Sequence, residues 1–483
     1  MASNDTIETR KLYLNGRWIE PANPLDVTNP ADGKVIGRVG TVDRRQVAQA
    51  LADAQEAWGA WRKLTGQRRG LYLQQIADVL EGRAGEIARV ITLENGKPLA
   101  QSQGELRMTI DHLRWFAGEA GRAYGRVVPH QADGKRHLVI RSPVGVVGAI
   151  APWNFPLVLG VRKMAPALAA GCPVVLKPAS ATPLSSVMLA EAVDEVGLPP
   201  GVFQLVAGNA GEIGGEMLEN PICRKITFTG STEVGRKLIA ASAASVKNLS
   251  MELGGHAPVL VFADADFDRA VEGAVIAKFR NTGQSCVAAN RIYVERPIYD
   301  KFVEALVQRT RALKVGNGLE EGVEIGPLVD QGALDSALAH IEQATSAGAK
   351  VLTGGKRWAQ GGAGFFLEPT VLVDVPADAV CMRQETFAPV IPVCAFDDEA
   401  EAIRRANDTQ YGLAAYAFTK DLSRMWRLAE SLEAGTIGIN DGVPATSPCP
   451  FGGLKQSGLG RELGVEGLDG FLETKHISLG VEA

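Results

Sequence analysis

The chain has 483 residues, 46% hydrophobic and 22% charged, with a formal net charge of −5 at neutral pH. That length calls for two or three domains rather than one core. The small negative balance argues against a nucleic-acid binder and against a polybasic membrane surface. No apolar run is long enough to suggest a membrane span.

The first residues, through Trp18, hold no apolar core and no cleavage site, so they do not read as a secretory signal. Residues 43–125 are rich in Ala, Leu, Glu and Arg with apolar residues at helical spacing, which predicts several helices. From about residue 137 the texture becomes β-branched and Gly/Pro-punctuated, which predicts strands. A strand at 173–177 precedes a helix at 183–196 with Pro183 near its start. A strand at 202–206, a helix at 210–218 and a strand at 225–229 follow. A second alternating block begins near 257, with a helix ending at 279 and strands read at 291–295, 351–355, 365–375, 389–396 and 435–440. Such alternation predicts an α/β fold with parallel sheets. Residues 471–483 are apolar with little helical period and are expected to form an edge strand lying on another surface, such as a second subunit.

Six cysteines are scattered without a CxxC pair, which favours a reducing, cytoplasmic setting. His256 has no partner His or Cys at metal spacing, so no metal site is expected and a loop hydrogen-bonding role suits it better.

Two strand ends carry phosphate- or ribose-binding potential. Gly230 and Gly235 flank a strand-to-helix turn, where backbone N–H groups attract anions. A tight turn with no ligand is the plain alternative. Lys177-Pro178-Ala179-Ser180 follows another strand, at the sheet edge where a lysine reaches a ribose or phosphate. A solvated surface lysine is the alternative there.

Cys286 ends the turn Asn281-Thr282-Gly283-Gln284-Ser285, and Glu252 stands 34 positions earlier, just before Gly254-Gly255. A cysteine can bond covalently to a carbonyl carbon, and a carboxylate can activate the water that breaks the bond. A free thiol is only slightly ionised at neutral pH, so the surroundings of Cys286 are expected to lower its pKa.

Taken together, these segments are similar to the NAD(P)-dependent, hydrolytic aldehyde dehydrogenase superfamily. The resemblance rests on Pro152-Trp153-Asn154-Phe155-Pro156, Lys177 to Ser180, Phe228 to Thr232, Met251 to Gly255, Gly283 to Cys286, Glu385-Thr386-Phe387 and Pro450 to Gly453, in family order over nearly the whole chain. It implies a Rossmann-like cofactor domain (1–125 and 145–251), an α/β catalytic domain (252–445) and a small β oligomerisation segment (126–144 and 470–483). A homodimer or homotetramer follows. Within the family the chain most resembles the succinate-semialdehyde dehydrogenases, through Val161-Arg162-Lys163, Lys278 to Asn281, and the stretches 168–180 and 451–462.

The resemblance implies that Cys286 is the nucleophile, Asn154 the oxyanion donor with the Cys286 N–H, and Glu252 the base for thioester hydrolysis. Lys163 is implied to support the oxyanion region or the cofactor. Glu385 is implied to bind the nicotinamide ribose with Phe387 near the ring, while Trp153, Leu253, Gly230 and Ser231 line the cofactor path. Lys177 and Ser180 are implied at the adenosine side. Ser180 stands where many NAD-specific relatives carry Glu, so NADP is expected to be accepted beside NAD.

Arg162 and Arg280 are implied to grip the distal carboxylate of a small aldehyde, succinate semialdehyde first; a salt bridge within the chain is the alternative for each. Three departures stand out. Ala388 replaces a usual Gly. Thr446 or Ser447 must supply a hydroxyl usually given by a Ser-Ser pair, in a loop stiffened by Pro448. Ala288 replaces a second cysteine, so no disulfide is expected beside the nucleophile. Other readings are a dehydrogenase for glutarate or 2-oxoglutarate semialdehyde, one for plain aliphatic aldehydes, a CoA-acylating enzyme, which Glu252 argues against, and a non-catalytic protein on the same scaffold, which would not need Cys286, Glu252 and Asn154 together.

Overall fold

The computed structural model describes residues 7–481; residues 1–6 and 482–483, the ends of two segments named above, lie outside the described residues. Short strands between residues 9 and 41 lead into four helices: α1 (Arg44–Trp61), α2 (Gly66–Gly82), α3 (Ala84–Asn95) and α4 (Leu99–Glu119). The periodicity of 43–125 predicts them. Asp43 starts α1 with a capping box and Gly96 ends α3 in the left-handed conformation. Three more helices, α5 (Pro156–Ala170), α6 (Leu184–Glu195) and α7 (Ala210–Glu219), alternate with strands, and α8 (Thr232–Ser242) follows.

The first sheet has six strands in the order Phe203–Leu205, Val174–Lys177, Val146–Ile150, Cys223–Thr229, Asn248–Glu252 and Gly458–Leu459. All but the last pair are parallel. The chain starts at the centre, runs to one edge, then returns to the other side. The reversal lies between Val146–Ile150 and Cys223–Thr229, and crevices at the carboxyl ends beside such a switch point bind ligands.

The second sheet has seven strands, in the order Lys350–Thr353, Thr370–Val373, Val390–Phe396, Ala289–Glu295, Ala257–Val261, Ala414–Phe418 and Thr436–Ile439, with helix α9 (Phe267–Phe279) packed beside it. Only its first pair is antiparallel. Glu252 ends a strand of the first sheet and Ala257 begins one of the second. The loops at the carboxyl ends of the first sheet therefore face those at the amino ends of the second.

Residues 446–469 fall between the segments named above. They return to the first sheet, where Phe451, Leu463 and Leu468 join its hydrophobic core. A three-stranded antiparallel sheet places Lys135–Pro143 between Arg126–Val128 and Leu472–Gly480, and the last strand pairs along all nine of its residues. Its outer side is a sheet edge, with Ile140, Leu479 and Val481 exposed nearby. No helix among the described residues is long and apolar enough to cross a membrane.

Candidate active site

The turn before Cys286 is strained. Asn281 (φ 51°, ψ 37°) and Thr282 (φ 58°, ψ 31°) are both left-handed, and Gly283 (φ 76°) follows. A non-glycine residue held there costs about 1–3 kcal/mol, and β-branched Thr is the least suited. Gly283 is required for a second reason: a Cβ there would meet the Ala388 carbonyl oxygen at 2.4 Å. Ala388 itself is buried and is not left-handed, so its methyl is accommodated.

Hydrogen bonds from three directions hold this turn. The Asn281 N–H donates to Gln101 of α4 at 2.7 Å. Thr282 Oγ1 exchanges bonds with both backbone groups of Gly326. Gln284 bridges to Pro327 O and accepts from the Val329 N–H. The thiol is thus presented, half-buried, on a braced loop.

That thiol does not have the lowered pKa the sequence predicts. Burial, then the Glu385 and Glu252 carboxylates, push it up to about 12, and Arg162 opposes them only in part. A nucleophile in this resting state is a protonated thiol.

Asn154 lies across from the turn, donating from Nδ2 to Gln284 O at 3.2 Å. Its Oδ1 is buried without a protein partner, and its backbone oxygen is clamped by Asn281 Nδ2 (2.8 Å) and Lys97 Nζ (2.6 Å). Lys97 also pairs with Glu105 at 2.6 Å, both side chains fully buried. The other Glu105 oxygen accepts the Leu157 and Val158 N–H groups, capping the start of α5. One buried ion pair thereby fixes both Asn154 and the helix carrying Arg162 and Lys163. Sequence reasoning passes over Lys97, Glu105 and Asn281.

Glu252 is buried, with Oε2 lacking a protein partner and Oε1 against Gly452, where a Cβ would sit at 2.8 Å. Burial and the Glu462 charge hold it well above the usual carboxylate range, while Lys163, Arg162 and Arg461 pull it back. Lys163 donates to Thr229 Oγ1 and to Glu462 Oε1, each at 2.6 Å. It therefore sits behind Glu252 through Glu462, bonded neither to Asn154 nor to Cys286. Glu462 closes the 451–462 stretch yet carries no spacing signal for this role.

A cavity of about 280 Å³ runs from Cys286 along the carboxyl ends of the first sheet. Trp153, Asn154, Gly230, Ser231, Leu253, Glu385 and Phe387 all line it. Ser231 caps α8, accepting from the Val234 N–H, and Leu253 packs on Gly235, where a Cβ would lie 2.3 Å away. Phe387 and Trp153 meet edge to face with centroids 5.5 Å apart. Glu385 Oε1 accepts from the Gly255 N–H at 3.0 Å, and Oε2 crowds Gly254 so that a Cβ there would lie at 2.7 Å. Burial pushes Glu385 up to about 7, against the pull of Gly255 and Lys278.

Lys177 is buried and donates to Pro178 O at 3.1 Å. Ser180 is exposed and opens on a separate cleft of about 500 Å³ beside the start of α7. Asp43 and Glu212 line that cleft with it, and no lysine or arginine does.

Arg162 and Arg280 come together near Cys286. Arg280 forms no ion pair among the described residues; Nη2 touches Met108 Sδ at 3.5 Å and the guanidinium lies 5.3 Å from the Phe155 ring centroid. Arg162 is 7% exposed and reaches Glu462 only at 3.9 Å, while its Cζ lies 4.8 Å from the Phe451 centroid. Glu462 is already engaged by Lys163. The salt-bridge alternative therefore fails for Arg280 and is weak for Arg162. Thr446 is exposed; Ser447 is buried and donates to Asp111 of α4, so its hydroxyl is already engaged.

Both His256 ring nitrogens are buried without protein partners, and its carbonyl, not its ring, accepts bonds from Arg291. All six thiols are free. No metal-binding cluster occurs among the described residues.

The model of the aldehyde dehydrogenase family matches residues 18–477. A glutarate-semialdehyde dehydrogenase of Pseudomonas aeruginosa is 49% identical over 98% of each chain. The succinate-semialdehyde dehydrogenase [NADP(+)] of Escherichia coli is 47% identical over the full length of both. Among solved structures, an Escherichia coli NADP-dependent enzyme superposes with a TM-score of 0.96 at 47% identity, covering 98% of each chain.

Proposed function

The chain belongs to the aldehyde dehydrogenase family, and we propose that it oxidises a small aldehyde bearing a distal carboxylate, succinate semialdehyde first, to the diacid with NAD(P)+. The observation that carries this is the pair of arginines beside Cys286. Buried guanidinium groups are normally paired, because desolvating an uncompensated charge costs several kcal/mol. Here neither has a carboxylate to itself, and a substrate carboxylate supplies one.

In this reading the Cys286 thiol gives up its proton to water in the open cavity and the sulfur attacks the aldehyde carbon to give a thiohemiacetal. Asn154 Nδ2 leaves Gln284 O to meet the developing oxyanion, together with the Cys286 N–H. The lined cavity, the glycine close approaches and Glu385 suit a dinucleotide; when bound, NAD(P)+ supplies the hydride acceptor. Glu252 deprotonates the water that cleaves the thioester on Cys286 and releases the acid. On top of burial, Glu462 raises the Glu252 pKa and Lys163, bonded to Glu462, lowers it. Trp153 and Phe387, packed edge to face, form part of the cavity wall.

A second reading, glutarate or 2-oxoglutarate semialdehyde, is supported by the likeness to the Pseudomonas aeruginosa glutarate-semialdehyde dehydrogenase at 49% identity. The exposed edge of Leu472–Gly480 supports a homodimer or homotetramer through that strand, which light scattering tests.

The test of substrate is kcat/KM for succinate semialdehyde, glutarate semialdehyde and pentanal with each cofactor. Acidic aldehydes should lead by about 100-fold or more, as expected for two charge-assisted contacts. Equal values would refute the reading.

A further inference from the structure

We propose that Asn281 is a positioning residue for the oxyanion donor: it fixes the Asn154 backbone and keeps the Gln284 carbonyl bonded when the Asn154 amide turns to the substrate oxygen. The proposal rests on the reading of Asn154 as that donor.

The resting amide has to move to act. Asn154 and Cys286 line one cavity, yet Asn154 Nδ2 donates to Gln284 O, 3.2 Å away. That is its side chain's one bond among the described residues, since Oδ1 has no partner. The backbone of the same residue is held more tightly. Its oxygen accepts from Asn281 Nδ2 at 2.8 Å and from Lys97 Nζ at 2.6 Å. A side chain on one long bond, carried by a doubly clamped backbone, can turn without shifting the chain.

Turning leaves a carbonyl behind. Gln284 is 1% exposed, and a buried carbonyl stripped of its donor is destabilising. Asn281 removes that loss. Its Nδ2 carries two hydrogens: one goes to Asn154 O, and the other to Gln284 O at 3.0 Å. Gln284 O therefore has two donors at rest and keeps one after Asn154 departs. Both acceptors are carbonyls, so the Asn281 amide cannot sit the other way round.

The backbone of Asn281 suits this place as well. Its φ of 51° is left-handed, a region asparagine tolerates better than most residues. Its N–H donates to Gln101 of α4, and its carbonyl accepts the Gln284 N–H at 2.9 Å, closing the turn. A fixed backbone thus aims one amide at both carbonyls.

The test measures kcat with saturating succinate semialdehyde and NADP+ in the wild type, Asn154→Ala, Asn281→Gly and the double variant. Beside it runs the rate of Cys286 alkylation by iodoacetamide, read by peptide mass. There the sulfur displaces iodide at a saturated carbon and no oxyanion forms, so the rate reports on the thiol and its turn alone. Glycine adopts the left-handed conformation freely and removes only the side chain. Asn281→Gly should lower kcat about 10–100-fold, as expected for a buried carbonyl left without a donor. Alkylation should be unchanged, and the double variant should be no slower than Asn154→Ala. If Asn281→Gly fails to fold, Asn281→Ser, whose side chain is one atom shorter, gives the same comparison. An unchanged kcat, alkylation that falls in step with kcat, or an additive loss in the double variant overturns the assignment. If Asn154→Ala also keeps the wild-type kcat, the oxyanion reading itself has failed; if it lowers kcat and Asn281→Gly does not, only the Asn281 assignment has.

Discussion

Replacing Arg280 with methionine separates a substrate clamp from a structural ion pair. The guanidinium is largely buried, touches Met108 and the Phe155 ring, and has no carboxylate partner. Methionine keeps the apolar stem and removes the charge. A hydrogen bond to a charged group contributes about 1.5–3 kcal/mol, and about 1.4 kcal/mol is ten-fold. The kcat/KM for succinate semialdehyde should therefore fall roughly 10–150-fold relative to that for pentanal. Stability should move the other way. Breaking a buried ion pair typically costs about 3–5 kcal/mol because the partner is orphaned, but here no partner is left behind. The thermal midpoint, followed by scanning fluorimetry, should hold or rise. A fall in midpoint together with an unchanged substrate ratio would refute the reasoning.

Other consequences follow from the same geometry. Asn154→Ala should lower kcat by about 10²–10³, the usual effect of losing one oxyanion donor, with nucleotide Kd from fluorescence titration unchanged. Glu385 sits near 7 and accepts with both oxygens only as the carboxylate, one of them already taken by the Gly255 N–H, so nucleotide Kd should weaken as pH falls through about 7 and level off above it; Lys278→Met removes a charge that holds Glu385 down and should move the midpoint upward. A flat Kd across that window would contradict this. Ser180→Glu should cut kcat/KM for NADP at least about ten-fold and leave NAD nearly unchanged, since like charges at close range cost about 1–4 kcal/mol. Glu212→Gln, in the same cleft, should raise NADP use.

The helices of 43–125 and the strands leading to the phosphate-type turns were legible because periodicity and Gly/Pro punctuation are local signals. Strand Ala414–Phe418 was not read: a short apolar run without alternation does not declare itself, although it lies next to Ala257–Val261 in the second sheet. Cys286, Glu252, Asn154 and Glu385 stood out through motifs. Lys97, Glu105 and Glu462 did not, because the groups they hold, Asn154, the start of α5 and Lys163, lie far away in sequence and meet them only on folding. The expectation for the thiol failed for the same reason. Burial and two carboxylates brought in by tertiary structure outweigh Arg162, which folding also brings near the thiol.

The central claim is oxidation through a Cys286 thioester released by water that Glu252 activates. Mixing Glu252→Gln with succinate semialdehyde and NADP+, then quenching for intact mass and reading reduced cofactor, tests it most directly. The account predicts one equivalent of reduced cofactor per site, a single acyl adduct on Cys286, and turnover slowed thereafter. Steady turnover at the wild-type rate with no adduct would contradict it.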